Sequence, residues 1–143
     1  MNYIFVSRDG RDVFMSLWNH YTNFTDDRYK IINETPGRVG GELPRPPDDI
    51  HEFWSSWCTR GWFDWESDGW PFWSHLGTTQ SWWNFRDLPN ILLLHYADMT
   101  RDLTGCVGRV ADFLGVSVTG ERLAQVVEAT SFDSMKKRAR TMC

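Results

Sequence analysis

The chain has 143 residues, 41% of them hydrophobic and 24% charged, with a formal net charge of −4. That is enough apolar material for one domain with a buried core, and the acidic balance argues against a general nucleic-acid binder, which would carry a basic surface. Cys58, Cys106 and Cys143 form no metal-type pair and suit a reducing compartment. The longest aliphatic run, residues 91–94, is far too short to cross a bilayer. Met1 leads straight into a strand-like segment with no signal-peptide pattern, so the expected location is cytoplasmic.

Tyr3-Ile4-Phe5-Val6 is a β-branched and aromatic run that suits a buried strand. It stops at Ser7-Arg8-Asp9-Gly10, and Val13, Phe14, Leu17, Trp18 and Tyr21 then recur at helical spacing. The segment reads as strand, tight turn, helix. In open parallel α/β sheets, ligands bind beyond the carboxyl ends of strands, where Arg8 stands. Its planar fork of donors matches phosphate oxygens, and Ser16 lies about two helical turns into the helix. A strand-end Arg and a helical Ser without a ligand is the bland alternative.

Residues 23–49 hold four of the six prolines and three glycines, so regular structure is not expected over most of that stretch. Asp48 and Asp49 then precede Ile50, Phe53, Trp54 and Trp57, which predicts a helix from about Asp49 to Arg60. Tryptophans crowd the stretch from Trp54 to Trp83; they either line a flat apolar pocket or pack as core. Pro71 suits a helix start, and the helix it would open carries Phe72, Leu76, Trp82, Trp83 and Phe85 to about Arg86. His75 on this aromatic helix reads as a packed or surface residue.

Leu88-Pro89-Asn90 breaks the pattern, and residues 91–96 form the second strand, whose continuous hydrophobicity suits a parallel sheet covered by helices. Tyr96 is either an amphipathic ring at the sheet edge or part of a binding site. Leu103, Val107, Val110, Phe113 and Leu114 predict a helix closed by Gly115. Another amphipathic helix starts near Val118-Thr119 and buries Leu123, Val126 and Val127. The basic group Lys136, Lys137, Arg138 and Arg140 suits a helix C-terminus, or attracts phosphate.

Four ordered landmarks resemble the sulfotransferases that use 3′-phosphoadenosine-5′-phosphosulfate (PAPS) as sulfuryl donor. They are Arg8-x-x-x-Asp12-x-x-x-Ser16, the Trp82-Trp83 pair, Tyr96-Ala97-Asp98-Met99, and Thr130-Ser131-Phe132 with Met135-Lys136. The resemblance implies an α/β chain with a partial three-layer, P-loop-like parallel sheet and flanking helices. It implies that Arg8 and Ser16 hold the 3′-phosphate while Asp12 supports the helix start. Tyr96, Thr130, Ser131 and Phe132 would frame the nucleotide, and Asp98 would cap its turn. Residues 23–49 would correspond to a variable segment near the acceptor site.

The same resemblance implies a phosphosulfate loop with a Lys, and a general-base His, N-terminal to the Arg8 strand. No Gly-rich loop with Lys and Thr occurs in these 143 residues, nor does the family's R-K-G closing loop. The expectation is therefore a partial sulfotransferase domain over 1–143, with no catalytic residue of its own, no metal, and PAPS or its bisphosphate product PAP as partner. Three functions stay open: a sulfotransferase acting on a small hydroxyl or amine acceptor, a non-catalytic nucleotide-binding remnant or subunit, and a partner-binding fragment. The strand at Tyr3 to Ser7, if left as an exposed edge, would favour a homo-oligomer or a complementing chain.

Overall fold

In the computed structural model, which describes residues 1–141, a parallel β pair is accompanied by eight helices among the described residues. The elements run β1 (Tyr3–Ser7), α1 (Gly10–Thr22), α2 (Asp26–Glu34), α3 (Ile50–Thr59), α4 (His75–Trp83), β2 (Ile91–His95), α5 (Tyr96–Arg101), α6 (Leu103–Leu114), α7 (Gly120–Thr130) and α8 (Phe132–Thr141). The chain divides into two compact units. One joins Met1–Arg8 to the chain from Phe85 onward; the other is Asp9–Asn84. Cys143 lies outside the described residues.

In the first unit, β1 and β2 pair in parallel from Tyr3↔Ile91 to Ser7↔His95. Asn90 ties the start of the pair: its carbonyl accepts from Tyr3 N at 2.9 Å and its side-chain amide donates to the Met1 carbonyl at 3.0 Å. The expected burial of β1 is not found. Tyr3, Ile4 and Val6 remain 43%, 41% and 48% exposed, because a two-stranded sheet leaves β1 with an open edge and an uncovered face. Leu94 of β2 is buried, as are Cys106 and Ala111 of the strongly amphipathic α6. Asp102 caps α6, accepting from Gly105 N at 2.8 Å, and Gly115 ends it in the left-handed region at φ 68°.

The second unit packs around aromatic rings. Phe53 is fully buried on α3 and meets Phe14 at 5.3 Å, Trp18 at 5.8 Å and Tyr21 at 6.1 Å between ring centroids. Such tilted and edge-on pairs suit the ring quadrupoles and add to area burial. Asp49 caps α3 through His51 N at 2.8 Å, as its sequence predicts. Residues 26–34, by contrast, were expected to lie in a loop and form α2. Thr25-Asp26-Asp27 looks like a turn cluster, but Thr25 Oγ1 accepts from Arg28 N at 3.2 Å and the two carboxylates sit in the first helical turn. Tyr29 then buries its ring, donates its hydroxyl to the Tyr21 carbonyl at 2.9 Å, and takes the Arg45 guanidinium over its face at 4.5 Å.

A second correction concerns Pro71. It does not open a helix; the Trp70–Pro71 bond is cis and α4 begins at His75. Ser74 is the cap, accepting from Gly77 N at 2.8 Å, and α4 ends at Trp83 rather than near Arg86. The reason lies in Asp68. It is 2% exposed, accepts the Ser74 hydroxyl and takes Leu76 N at 2.9 Å, so the chain is held in an irregular turn until Ser74.

Candidate functional site

The parallel register sets the site in the first unit. Ser7 and His95 are the last paired residues, so Arg8 and Tyr96 leave the two strands at the same, carboxyl, end. Their side chains meet there, the Arg8 guanidinium lying 4.6 Å from the Tyr96 ring centroid. A cation stacked on an aromatic face is held by the ring quadrupole and keeps its planar fork of donors directed by that stacking. Both residues are exposed at the carboxyl end of a parallel pair, where α/β sheets receive ligands.

Tyr96 is the first residue of α5 rather than the last of the strand, because His95 Nδ1 accepts from Ala97 N at 3.3 Å and turns the chain. Asp98, expected as the cap, instead binds Arg101 one turn later, and His95 holds the cap position. Thr130, Ser131 and Phe132 form the corner between α7 and α8. Thr130 Oγ1 donates to the Val126 carbonyl at 2.8 Å, closing α7, and Ser131 Oγ accepts from Ser134 N at 3.2 Å, opening α8. Phe132 is 69% exposed, with Lys136 Nζ 5.7 Å from its ring centroid. The corner therefore offers two hydroxyls, an open aromatic face and a cation.

Ser16 stands on the exposed side of α1, in the second unit. Asp9 caps that helix through Arg11 N at 2.9 Å and also takes the Arg11 side chain at 2.9 and 3.1 Å, which raises the Arg11 pKa above its usual value. Asp12 falls in the first turn, where a carboxylate favours the helix dipole. The structure thus brings Arg8 together with Tyr96 and groups Thr130, Ser131 and Phe132 at one corner.

The tryptophan-rich stretch splits between the two readings of it. Trp57 is core, stacked on Trp54 at 5.4 Å and on His75 at 5.9 Å, so His75 is a packed residue. Trp65 and Trp73 are exposed. Sequence reasoning missed what holds this loop: Glu66 accepts from Trp62 N and Phe63 N at 3.3 Å each and from Ser74 N at 3.1 Å. An acidic residue accepting three backbone N–H groups amid aromatics leaves no periodic signal in sequence. A broad polar hollow of about 840 Å³ also lies along α2 and the following loop, among Lys30, Asn33, Glu34 and Glu42. Asn33 braces its rim, accepting from Leu43 N at 2.7 Å and donating to the Leu43 carbonyl at 3.2 Å.

The family model described as the sulfotransferase domain matches residues 1–142, and the chain belongs to that family. A glycolipid sulfotransferase of Mycobacterium bovis is 28% identical over 162 residues, covering 97% of this chain and 47% of that protein. Rat sulfotransferase 2A6 is 30% identical over 134 residues, covering 94% of this chain and 38% of the relative. Among solved structures, a mouse sulfotransferase complexed with PAP matches with a TM-score of 0.65 at 20% identity, covering 94% of this chain and 40% of that one. Retinol dehydratase in complex with androsterone and inactive cofactor PAP gives 0.63 at 24% identity, over 94% of this chain and 32% of that one. The structural likeness establishes a sulfotransferase fold, and the chain spans less than half the length of these relatives. No described helix is long and apolar enough to cross a membrane.

Proposed function

We propose that this chain binds the nucleotide of a PAPS-dependent sulfotransfer reaction, with Arg8 gripping the 3′-phosphate. The observation that carries the reading is the Arg8–Tyr96 stack at the carboxyl end of the β1–β2 pair. The donor set fits the group: a guanidinium matches phosphate oxygens in a bidentate way, and the exposed Phe132 ring offers a face to a purine. Tyr96, Thr130 and Ser131 frame the nucleoside. When bound, PAPS supplies an activated sulfuryl group for an acceptor hydroxyl or amine and leaves as PAP. The free thiols Cys58 and Cys106 support a cytoplasmic setting for this chemistry.

Within the 143 residues, no Gly-rich loop with Lys is present to stabilise the leaving group, so the isolated chain is expected to bind nucleotide and turn over little PAPS. Calorimetric titration with PAP tests the binding. A charge-assisted contact contributes about 1.5–3 kcal/mol, so Arg8→Ala should weaken binding roughly 10- to 100-fold, with Arg8→Lys between. Equal affinity of Arg8→Ala and the parent chain would sink the assignment.

A second reading, a nucleotide-binding subunit completed by another polypeptide, is favoured by the exposed Tyr3, Ile4 and Val6 of β1. It predicts concentration-dependent association in sedimentation velocity that Ile4→Lys abolishes; a monomer at all concentrations, with no complementing chain restoring turnover, would remove it.

A further inference from the structure

The second unit holds a cleft of about 260 Å³ lined by Arg38, Val39, Trp62, Phe63, Phe72 and Trp73. Its walls are rings. Phe63 lies between Trp65, stacked on it at 4.6 Å, and Trp73, tilted at 5.8 Å. Exposed rings are usually mobile, but these stand on a braced loop. Glu66 and Asp68 between them receive backbone N–H groups from Trp62, Phe63, Ser74 and Leu76, and Gly69 N donates to the Trp57 carbonyl at 2.7 Å. Gly40, at φ 91°, lies so close to Trp62 that a Cβ there would run into the indole Nε1. The loop carrying Arg38 and Val39 is thereby seated on the aromatic wall.

Arg38 differs from Arg11 and Arg45 of the same unit, which each meet a carboxylate. Arg38 is half-buried, gives one N–H to the Gly41 carbonyl and meets no carboxylate among the described residues. The carboxylate of Glu66 on the aromatic loop is turned to backbone N–H groups. A partly desolvated guanidinium at the mouth of an apolar cleft is satisfied by an anion. The volume lies just below the ~300 Å³ at which drug-sized pockets begin, which suits one alkyl chain or a two-ring body.

We propose that this cleft binds the single apolar chain of an amphiphilic anion, with the head group against Arg38. The proposal is independent of the nucleotide reading, since it concerns another set of residues and another ligand.

Calorimetry with hexanoate, octanoate and decanoate, each below its micellar concentration, is the test. Saturable binding should tighten roughly fourfold per added methylene until the cleft is full. Trp73→Ala should weaken octanoate at least fivefold; Trp73 is 59% exposed, so its truncation leaves the core intact. Val39→Asp, at a still more exposed position, places a carboxylate at the mouth and should weaken it further. Arg38→Ala should remove the preference for octanoate over 1-octanol, and Arg8→Ala should leave octanoate binding unchanged. No saturable binding by folded chain, no dependence on chain length, or unchanged affinity in both Trp73→Ala and Val39→Asp would overturn the proposal. Association with phosphatidylcholine vesicles without binding of monomeric octanoate would also overturn it, and would make the cleft a membrane-facing surface.

Discussion

Asp68→Ala probes the brace on which the aromatic loop depends. Asp68 is nearly inaccessible, and its two oxygens accept the Ser74 hydroxyl and the Leu76 amide. Removing the carboxylate leaves both donors without their acceptor. A buried unsatisfied donor costs about 1–3 kcal/mol, and losing the carboxylate's own desolvation penalty offsets part of the sum, so a net loss of about 2 kcal/mol is expected. Asp68→Asn, which keeps the shape and one acceptor oxygen, should lose about half as much. Urea unfolding followed by tryptophan fluorescence measures the loss, and hydrogen exchange at the amides of α4 localises it.

A second readout tests the same contact chemically. Burial pushes the Cys58 thiol pKa up, and the Asp68 charge raises it further. Asp68→Ala removes the second influence, so Cys58 should react faster with a disulfide reagent near pH 8, where the thiolate fraction limits the rate. An unchanged urea midpoint together with an unchanged Cys58 rate would refute the reasoning, since a buried carboxylate with two donors cannot be deleted silently.

Phe53→Ala, at the centre of the second unit, should cost about 3–5 kcal/mol in urea unfolding, because the rings around it close only partly over the cavity. Tyr21 has its pKa raised to about 12, first by burial and then by Tyr29. The folded state therefore holds this proton more tightly than the unfolded one, whose tyrosine titrates near 10; stability is full below about pH 10 and falls as pH rises toward 12. Tyr21→Phe should flatten that alkaline slope in pH-dependent unfolding. Thr25→Ala and Asp102→Ala each remove a helix cap and should each lower stability by about 1 kcal/mol, with faster amide exchange in α2 and α6 respectively.

Elements with a single dominant signal were legible in the sequence. The apolar runs at 3–6 and 91–94 marked both strands, and α6 announced itself by spacing and by Gly115. Where one residue type serves two purposes, the sequence misled. Thr25-Asp26-Asp27 is a turn cluster or a capped helix start, and Tyr29, Ile31 and Ile32 gave too short a pattern to decide. Pro71 favours a helix start, but buried Asp68 held the turn and passed the cap to Ser74. At the site, Arg8 and Tyr96 were each readable as strand-end residues. Their stacking needed the register, which only the paired backbones supply. Glu66, Asp68 and Arg38 gave no signal, since an acidic or basic residue in a loop reads as solvated until its partners are known.

The parallel pairing of β1 with β2 carries a consequence for how the chain acquires its shape. The partners are separated by 88 residues, and closing a loop of that length is entropically costly before any contact rewards it. That interval contains the whole Asp9–Asn84 unit, whose rings cluster through contacts internal to it. On a ribosome, β1 emerges before β2, and an entire folding unit is made between them. This pairing forms only once Ile91–His95 is synthesised, so the β1–β2 contact to which Arg8 and Tyr96 owe their meeting cannot precede the making of that unit.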